Sequence, residues 1–260
     1  MLELTPGDGC GNRFLLVKQQ AMLVEGEAGP DLAQRLCGVH YDGLLVLGEE
    51  VDDALPVTII NRDGSDGGAC LNGLRVAACF TGLQRGRLLM AGEVVDWQRR
   101  EEGFELALPL HAEQIEVTEH RHGDAAATWF QVEFWNPHAV FRSKPTDQPL
   151  ADFAETVAAR RDLFPRGVNV EVVPELGESD ELSMRVFERG VGETAACGSG
   201  ALAVAAVAWR LGAGALLGLQ MRGGRLEVEQ VEGGRIHLRG AAKVGPSKSL
   251  QGLLRDAPKA

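Results

Sequence analysis

The chain has 260 residues, 45% of them hydrophobic and 24% charged, which is enough for one large domain or two of about 130 residues with a substantial core. The 37 acidic and 26 basic residues give a net charge of −11, so its mean field argues against nucleic acid or an anionic membrane as a partner. Met1 to Asp8 shows neither a basic n-region nor an apolar h-region, so a cytoplasmic location is expected. The five cysteines, Cys10, Cys37, Cys70, Cys79 and Cys197, are odd in number and form no CxxC pair, so neither structural disulfides nor a zinc site is expected.

Leu15-Leu16-Val17, after Gly11-Asn12-Arg13-Phe14, reads as a short buried strand opening on a glycine turn. Gly7-Asp8-Gly9-Cys10-Gly11 is a weak phosphate-loop candidate, because it precedes its strand instead of joining strand to helix. Asp31 to Cys37 has a short helix pattern with Gly38 as its stop, and Leu44 to Leu47 and Val57 to Ile60 read as strands. Cys70 to Phe80 is a buried helix, and alternation from Arg87 to Leu110 predicts hairpin strands. A second half opens near His111. Thr128 to Phe134 is strand-like, with Pro137 expected to hold Asn136 extended and stop ladder pairing. Phe153 to Asp162 reads as a surface helix, and Glu178 to Glu181 as a solvated acidic hairpin tip. After a second cysteine helix, Leu219 to Leu238 alternates around glycine pairs, and the tail from Pro246 either frays or returns as an edge strand on the first half.

The two cysteine stretches organise the rest. Val186-Phe187 leads through a Gly-rich turn and Thr194, a candidate N-cap, to Cys197-Gly198-Ser199-Gly200 and an apolar run from Ala201 to about Leu211. A helix apolar nearly all round is buried in a domain, and Arg210 cuts this one short of a bilayer span. Ala69-Cys70-Leu71-Asn72-Gly73 matches Ala196-Cys197-Gly198-Ser199-Gly200 at an offset of 127 residues. At that offset Asp66 falls on Glu193 and Asn61-Arg62 on Glu188-Arg189. Gly38-Val39 answers Gly167-Val168 and Asn12 answers Asn136, so several blocks recur in order, as in a duplicated domain. The expected lobes are residues 1–111 with 245–260, carrying Cys70, and 112–244, carrying Cys197.

Two thiols at helix starts suit a reaction that removes a proton from one face of a carbon and returns one to the other. Unpaired N–H groups and the positive helix end favour thiolate at one cysteine, and like-charge repulsion keeps the other protonated. Turn N–H groups at Leu71-Asn72 and Gly198-Ser199 can share a substrate carboxylate. Glu188 can bind an ammonium and Arg189 a second carboxylate as a planar fork. Asn12, Asn61, Asn136 and Asn169 can orient a zwitterion without adding charge. Cys10, Cys37 and Cys79 read as small apolar fillers.

The blocks Gly11-Asn12-x-Phe14, Asn61-x-Asp63-Gly64-Ser65, Cys70-x-Asn72-Gly73-x-Arg75, Asn136-Pro137-His138, Gly167-Val168-Asn169 and Glu188-Arg189-Gly190-x-Gly192-Glu193-Thr194-x-Ala196-Cys197-Gly198-Ser199-Gly200 resemble diaminopimelate epimerase over nearly the whole chain. The resemblance implies an α/β (α+β) fold of two pseudo-symmetric domains, each a closed, mainly antiparallel sheet around a central helix, with the site in the cleft between them. It implies interconversion of LL- and meso-diaminopimelate, for lysine and peptidoglycan synthesis, with no cofactor and no metal. By the same resemblance Cys70 and Cys197 are the acid/base pair, His138 and Glu188 support the reacting centre, and Asn61, Asn169 and Arg189 read the substrate's far end. The partner is then a small amino-acid substrate, and the oligomeric state stays open, a homodimer included.

The chain departs from the family pattern at Arg13, His40, Gly43 and Leu71. Arg13 either alters substrate choice or faces solvent, and the side chain of Leu71 narrows a turn that must touch a carboxylate. Alternatives are a two-cysteine racemase of another amino acid, a cysteine hydrolase drawn from Cys197 and His138, and a non-catalytic amino-acid-binding paralogue. The hydrolase leaves Cys70 and the duplication unexplained.

Overall fold

The computed structural model describes residues 1–38, 40–121, 128–145 and 147–256. Val39, half of one repeat block, lies outside the described residues, as does the end of the tail. The chain divides into two compact units, Met1–Pro109 with Gly240–Ala260, and Leu110–Arg239.

The first unit opens with a hairpin of β1 (Glu3–Gly9) and β2 (Asn12–Lys18), in which Asp8 opposes Arg13 and Gly9 opposes Asn12. The glycine-rich loop is the hairpin's two-residue turn: Cys10 and Gly11 take left-handed φ angles of 55° and 81°. No strand was expected before that turn, because Pro6, Gly7 and Gly9 weaken strand propensity. Packing overrides the propensity. A Cβ on Gly7 would lie 2.4 Å from Val76 Cγ1 and one on Gly9 2.9 Å from the Asn72 carbonyl oxygen, so the missing side chains let β1 lie on the central helix.

The short helices α1 (Gln19–Val24) and α2 (Gly29–Leu36) follow, then β3 (Gly43–Leu47) and β4 (Leu55–Asn61). The central helix α3 (Leu71–Thr81) leads to β5 (Arg85–Met90), β6 (Glu93–Arg100) and β7 (Gly103–His111). From the far end of the chain come β18 (Lys243–Val244), β19 (Lys248–Ser249) and α6 (Leu250–Asp256). The strands run in the order β7-β6-β5-β4-β3-β2-β1-β18, parallel at β2/β3 and β4/β5 and antiparallel elsewhere. The tail does return as an edge strand, with β19 pairing β1. α3 packs against β1 to β5 and β18, and its residues Leu71 to Ala78 are buried, so the sheet wraps a helix that needs no polar face.

The second unit contains β8 (Glu116–His120), β9 (Trp129–Glu133), β10 (Pro137–Phe141), α4 (Leu150–Ala158) and β11 (Asn169–Val172). It continues through β12 (Glu181–Ser183), β13 (Arg185–Glu188), β14 (Gly192–Thr194), the central helix α5 (Gly198–Arg210), β15 (Leu216–Met221), β16 (Gly224–Gln230) and β17 (Arg235–Gly240). One sheet has the order β14-β13-β11-β10-β9-β8, and β12-β15-β16-β17 form the other run. α5 contacts β9, β10 and β11 from the first and β16 from the second.

Three local expectations are corrected. Pro137 does not stop the ladder: it is the first residue of β10, where a strand tolerates the missing N–H, and β10 pairs with both β9 and β11. The acidic stretch ending at Glu181 is not a hairpin tip. It carries the chain out of the sheet holding β11 and into β12, which runs parallel to β15, and Glu181 pairs with Arg225 at 2.6 Å. Finally, Thr194 ends β14 and does not cap a helix; α5 begins at Gly198, and the residue that caps it is Cys197.

Candidate active site

Each unit presents one cysteine in the same way. Cys70 is the N-cap of α3, in extended backbone (φ −139°, ψ 107°), and its Sγ accepts the N–H of Gly73 at 3.3 Å. Cys197 is the N-cap of α5 (φ −134°, ψ 118°), and its Sγ accepts the N–H of Gly200 at 3.3 Å. The approach matches too: Ile60 bridges Asp66 before Cys70, as Phe187 pairs with Glu193 before Cys197. Sulfur thus stands where a Ser or Asp oxygen would normally satisfy the first helical turn.

The surroundings of the two sulfurs differ. Cys197 is 4% exposed, with Glu188 Oε2 at 3.2 Å and Ser199 Oγ at 3.4 Å. Glu188 Oε1 also accepts the Thr194 hydroxyl at 2.5 Å. Burial first and the Glu188 charge second push the Cys197 thiol well above the ordinary range, against the pull of Ser199 and the Gly200 N–H. The helix end therefore loses to desolvation here, and the expected help towards ionisation is not found at this cysteine. Burial likewise raises Glu188, against its bonds from Thr194 and Cys197. The second unit thus favours a neutral thiol beside a carboxyl that leans towards protonation.

The groups described around Cys70 include Asn12, Met90 and the cation Arg75. Asn12 Oδ1 lies 3.9 Å from its Sγ, and its N–H meets Met90 Sδ at 3.2 Å. One turn along α3, Arg75 is 0% exposed. Its guanidinium donates to Asn72 Oδ1 at 2.8 Å and to the Leu71 carbonyl at 3.4 Å, and it lies 3.7 Å from Cys10 Sγ. Burial draws the Arg75 pKa down, and the Cys10 and Cys70 sulfurs oppose that shift, so the cation and both sulfurs feel one another.

The other expected residues fall into place unit by unit. Leu71 and Gly198 are the first residues of their helices, both buried, so their backbones belong to the turns beside the sulfurs. Asn72 is 3% exposed and its side chain is committed to Arg75. Asn61 ends β4 and donates to Ser65 Oγ at 3.0 Å, holding the loop that leads to Cys70. Asn136 sits half-buried in the bend before β10. Asn169 Oδ1 accepts the Arg189 N–H at 2.8 Å, and the Arg189 guanidinium donates to the Arg166 carbonyl at 2.5 Å, which brings those two together on one side of β11 and β13. Asn12 turns towards Cys70, whereas Arg13 and His40, two of the departures from the family pattern, line a separate cavity. Gly43 carries no side chain because a Cβ there would meet the Ile60 carbonyl oxygen at 2.7 Å.

His138 is wholly buried on β10, stacked on Phe134 at 5.2 Å, and its Nδ1 pairs with Glu171 Oε1 at 2.7 Å. Sequence reasoning gave Glu171 no role, although one carboxylate in the apolar run Val170-Glu171-Val172-Val173 was the available signal. It reaches the start of α5: a Cβ on Gly200 would lie 2.8 Å from Glu171 Oε1. Arg75 was likewise given no role, though it is the one charged residue in the apolar stretch from Leu71 to Phe80.

Each unit holds a central helix capped by a cysteine inside its own sheet, and the fold is shared with solved structures of racemases, epimerases and PhzF-family proteins. A PhzF-family phenazine biosynthesis protein from Bacillus anthracis superposes with a TM-score of 0.68 at 12% identity, covering 95% of this chain and 98% of that one. A hydroxyproline epimerase from Agrobacterium vitis gives 0.63 at 13% identity, covering 97% and 94%. At such identities the likeness is one of fold.

Sequence carries the assignment further. The family model described as diaminopimelate epimerase matches residues 130–245. A diaminopimelate epimerase from Moorella thermoacetica is 34% identical over 248 aligned residues, covering 82% of this chain and 84% of that protein. The chain belongs to the diaminopimelate epimerase family and is an isomerase of the amino-acid epimerase class. Among the described residues, no helix is long and apolar enough to cross a membrane.

Proposed function

We propose that the chain interconverts LL- and meso-diaminopimelate by two-base proton transfer at the α-carbon, with Cys70 and Cys197 as the two bases, in the synthesis of lysine and peptidoglycan precursors. The observation that carries this reading is the pair of cysteine N-caps, one per unit, each with Sγ 3.3 Å from the third N–H of an apolar helix. Membership of the family, whose Moorella thermoacetica relative is named for diaminopimelate, supports the substrate.

The unequal surroundings give the pair a resting polarity. Arg75 and the helix end favour thiolate at Cys70, whereas burial and Glu188 hold Cys197 as a thiol. The Cys70 thiolate takes the α-proton and the Cys197 thiol delivers one to the opposite face, so the C–H bond broken on one side is replaced on the other with no net change in charge. The proton now on Cys70 and the charge now on Cys197 are exchanged before the next turnover in this direction, and Glu188, 3.2 Å from Cys197, is placed to exchange it. The helix-start N–H groups at Leu71-Asn72 and Gly198-Ser199 stabilise the charge that builds on the carboxylate beside the carbanion. Arg189 and Asn169 read the second amino-acid head.

The deciding experiment incubates reduced protein with LL-diaminopimelate in deuterium oxide and follows the meso epimer together with deuterium at the α-carbon. Cys70→Ala and Cys197→Ala are each expected to abolish turnover. Full turnover in either variant would sink the two-thiol mechanism, and exchange on a different amino acid in place of diaminopimelate would sink the substrate.

A further inference from the structure

The first unit holds a cavity of about 850 Å³ that the proposed reaction does not use. Its position follows from strand alternation. Gly7 and Gly9 of β1 face α3, where a Cβ would meet Val76 and Asn72, so Pro6 and Asp8 project from the other face of the sheet, and both line the cavity. The same alternation on β2 sends Asn12 towards Cys70 and Arg13 into the cavity. The cavity and the Cys70 helix thus lie on opposite faces of β1 and β2.

The charge of the lining is opposite to that of the chain. In a protein of net charge −11, Arg13, Arg35, Lys243 and Lys248 converge here, with Asp8 as the one carboxylate among the described lining residues. Register fixes three of these groups in a row: Asp8 on β1 stands directly between Arg13 on β2 and Lys243 on β18. Arg35 shares its charge with Glu27 at 2.7 Å, and His40 adds a further ring nitrogen donor or acceptor at the wall. Below this ring the floor is apolar: Leu36 and Leu253 are 8% and 5% exposed, with Val244 and the half-buried Tyr41 beside them. Cys37 completes the floor as a neutral thiol, pushed up to about 12 by burial and by Asp42.

Several cations above an apolar, partly aromatic floor suit a ligand with a doubly charged head and a flat body, and the volume falls within the range of about 300 to 1,000 Å³ usual for small-molecule sites. We propose that this cavity is a second ligand site, on the face of the sheet away from the thiol, that takes a small organic phosphate of nucleoside monophosphate size, its phosphate held by Arg13 and Lys243 and its body on Tyr41, Leu36 and Leu253. One anchor links the two faces: Asp42 Oδ2 accepts both the Asn12 side-chain amide at 2.8 Å and the Arg13 backbone N–H at 2.7 Å.

The test is calorimetric titration of the reduced full chain with adenosine 5′-monophosphate at low ionic strength. Saturable binding is expected, weakened at least tenfold in Lys243→Glu and in Arg13→Glu, both exposed positions where folding is checked by circular dichroism. Adenosine and pyrophosphate, each carrying half of the chemistry, are expected to bind more weakly than the nucleotide. The Cys197→Ser variant is expected to bind it as the parent does. Absence of binding, undiminished binding in both charge variants, or loss of binding in Cys197→Ser would overturn the proposal. None of these outcomes bears on the epimerase reading, which is decided by the exchange assay alone.

Discussion

Glu188 Oε2 lies 3.2 Å from Cys197 Sγ while Glu188 Oε1 accepts the Thr194 hydroxyl at 2.5 Å, so one carboxyl group is clamped between the end of β14 and the cap of α5. Its charge is the second cause, after burial, of the raised Cys197 thiol. Replacing it by the neutral amide in Glu188→Gln removes that cause and leaves burial. The pH at which Cys197 alkylation by iodoacetamide accelerates, resolved by peptide mass spectrometry, is expected to fall. An unmoved profile would mean that burial alone governs this thiol.

Gly200 is required by its neighbour. A Cβ there would stand 2.8 Å from Glu171 Oε1, and Glu171 cannot swing aside cheaply because both it and His138, its partner at 2.7 Å, are 0% exposed. Gly200→Ala, which ordinarily favours a helix, is expected to destabilise the protein by about 1 to 3 kcal/mol in urea unfolding and to cut turnover. A gain in stability would show that the pair relaxes without cost.

Arg75→Met removes a wholly buried cation one turn from Cys70. It also leaves Asn72 Oδ1 without the donor now 2.8 Å away, which costs about 1 to 3 kcal/mol. The specific expectation concerns the thiol: alkylation of Cys70 should need a higher pH, because the positive charge that favours its thiolate is gone. If stability falls while the Cys70 profile stays put, Arg75 is a structural group only.

Cys37 makes an alkaline-stability prediction. Its thiol is pushed up from an ordinary value of 9.0 to about 12, first by burial and then by Asp42. Below pH 9 the folded and unfolded chains both keep this proton. Between pH 9 and about 12 only the unfolded chain releases it, so each pH unit removes about 1.4 kcal/mol of stability through this group. Cys37→Ala is expected to flatten the fall in unfolding free energy over that window by the same slope, measured by denaturant melts. An unchanged slope would place the titrating group elsewhere.

Much of this arrangement was written locally. The apolar runs after Cys70 and Cys197 have only one use, as central helices, and the 127-residue offset between them is the mark of a duplicated unit in the linear chain. A small residue pair beside each cysteine marked the turn, and side-chain alternation marked β5 to β7 and β15 to β17, because each of these signals is read within a few positions of chain.

What the sequence hid depends on neighbours remote along the chain. β1 is a strand because Gly7 and Gly9 admit α3, whereas a propensity scale sees only weak strand formers. Thr194 reads as a cap in the linear chain, yet the sheet draws it into β14 and hands the cap to a sulfur. The ionisation of the thiols is the clearest case. Both sit at helix starts that share an Ala-Cys-x-x-Gly pattern, and that local feature favours thiolate in each. At Cys197 burial and the Glu188 and Glu171 charges overrule that preference, because desolvation and Coulomb energies depend on what folding brings within a few ångströms and not on the order of residues along the backbone.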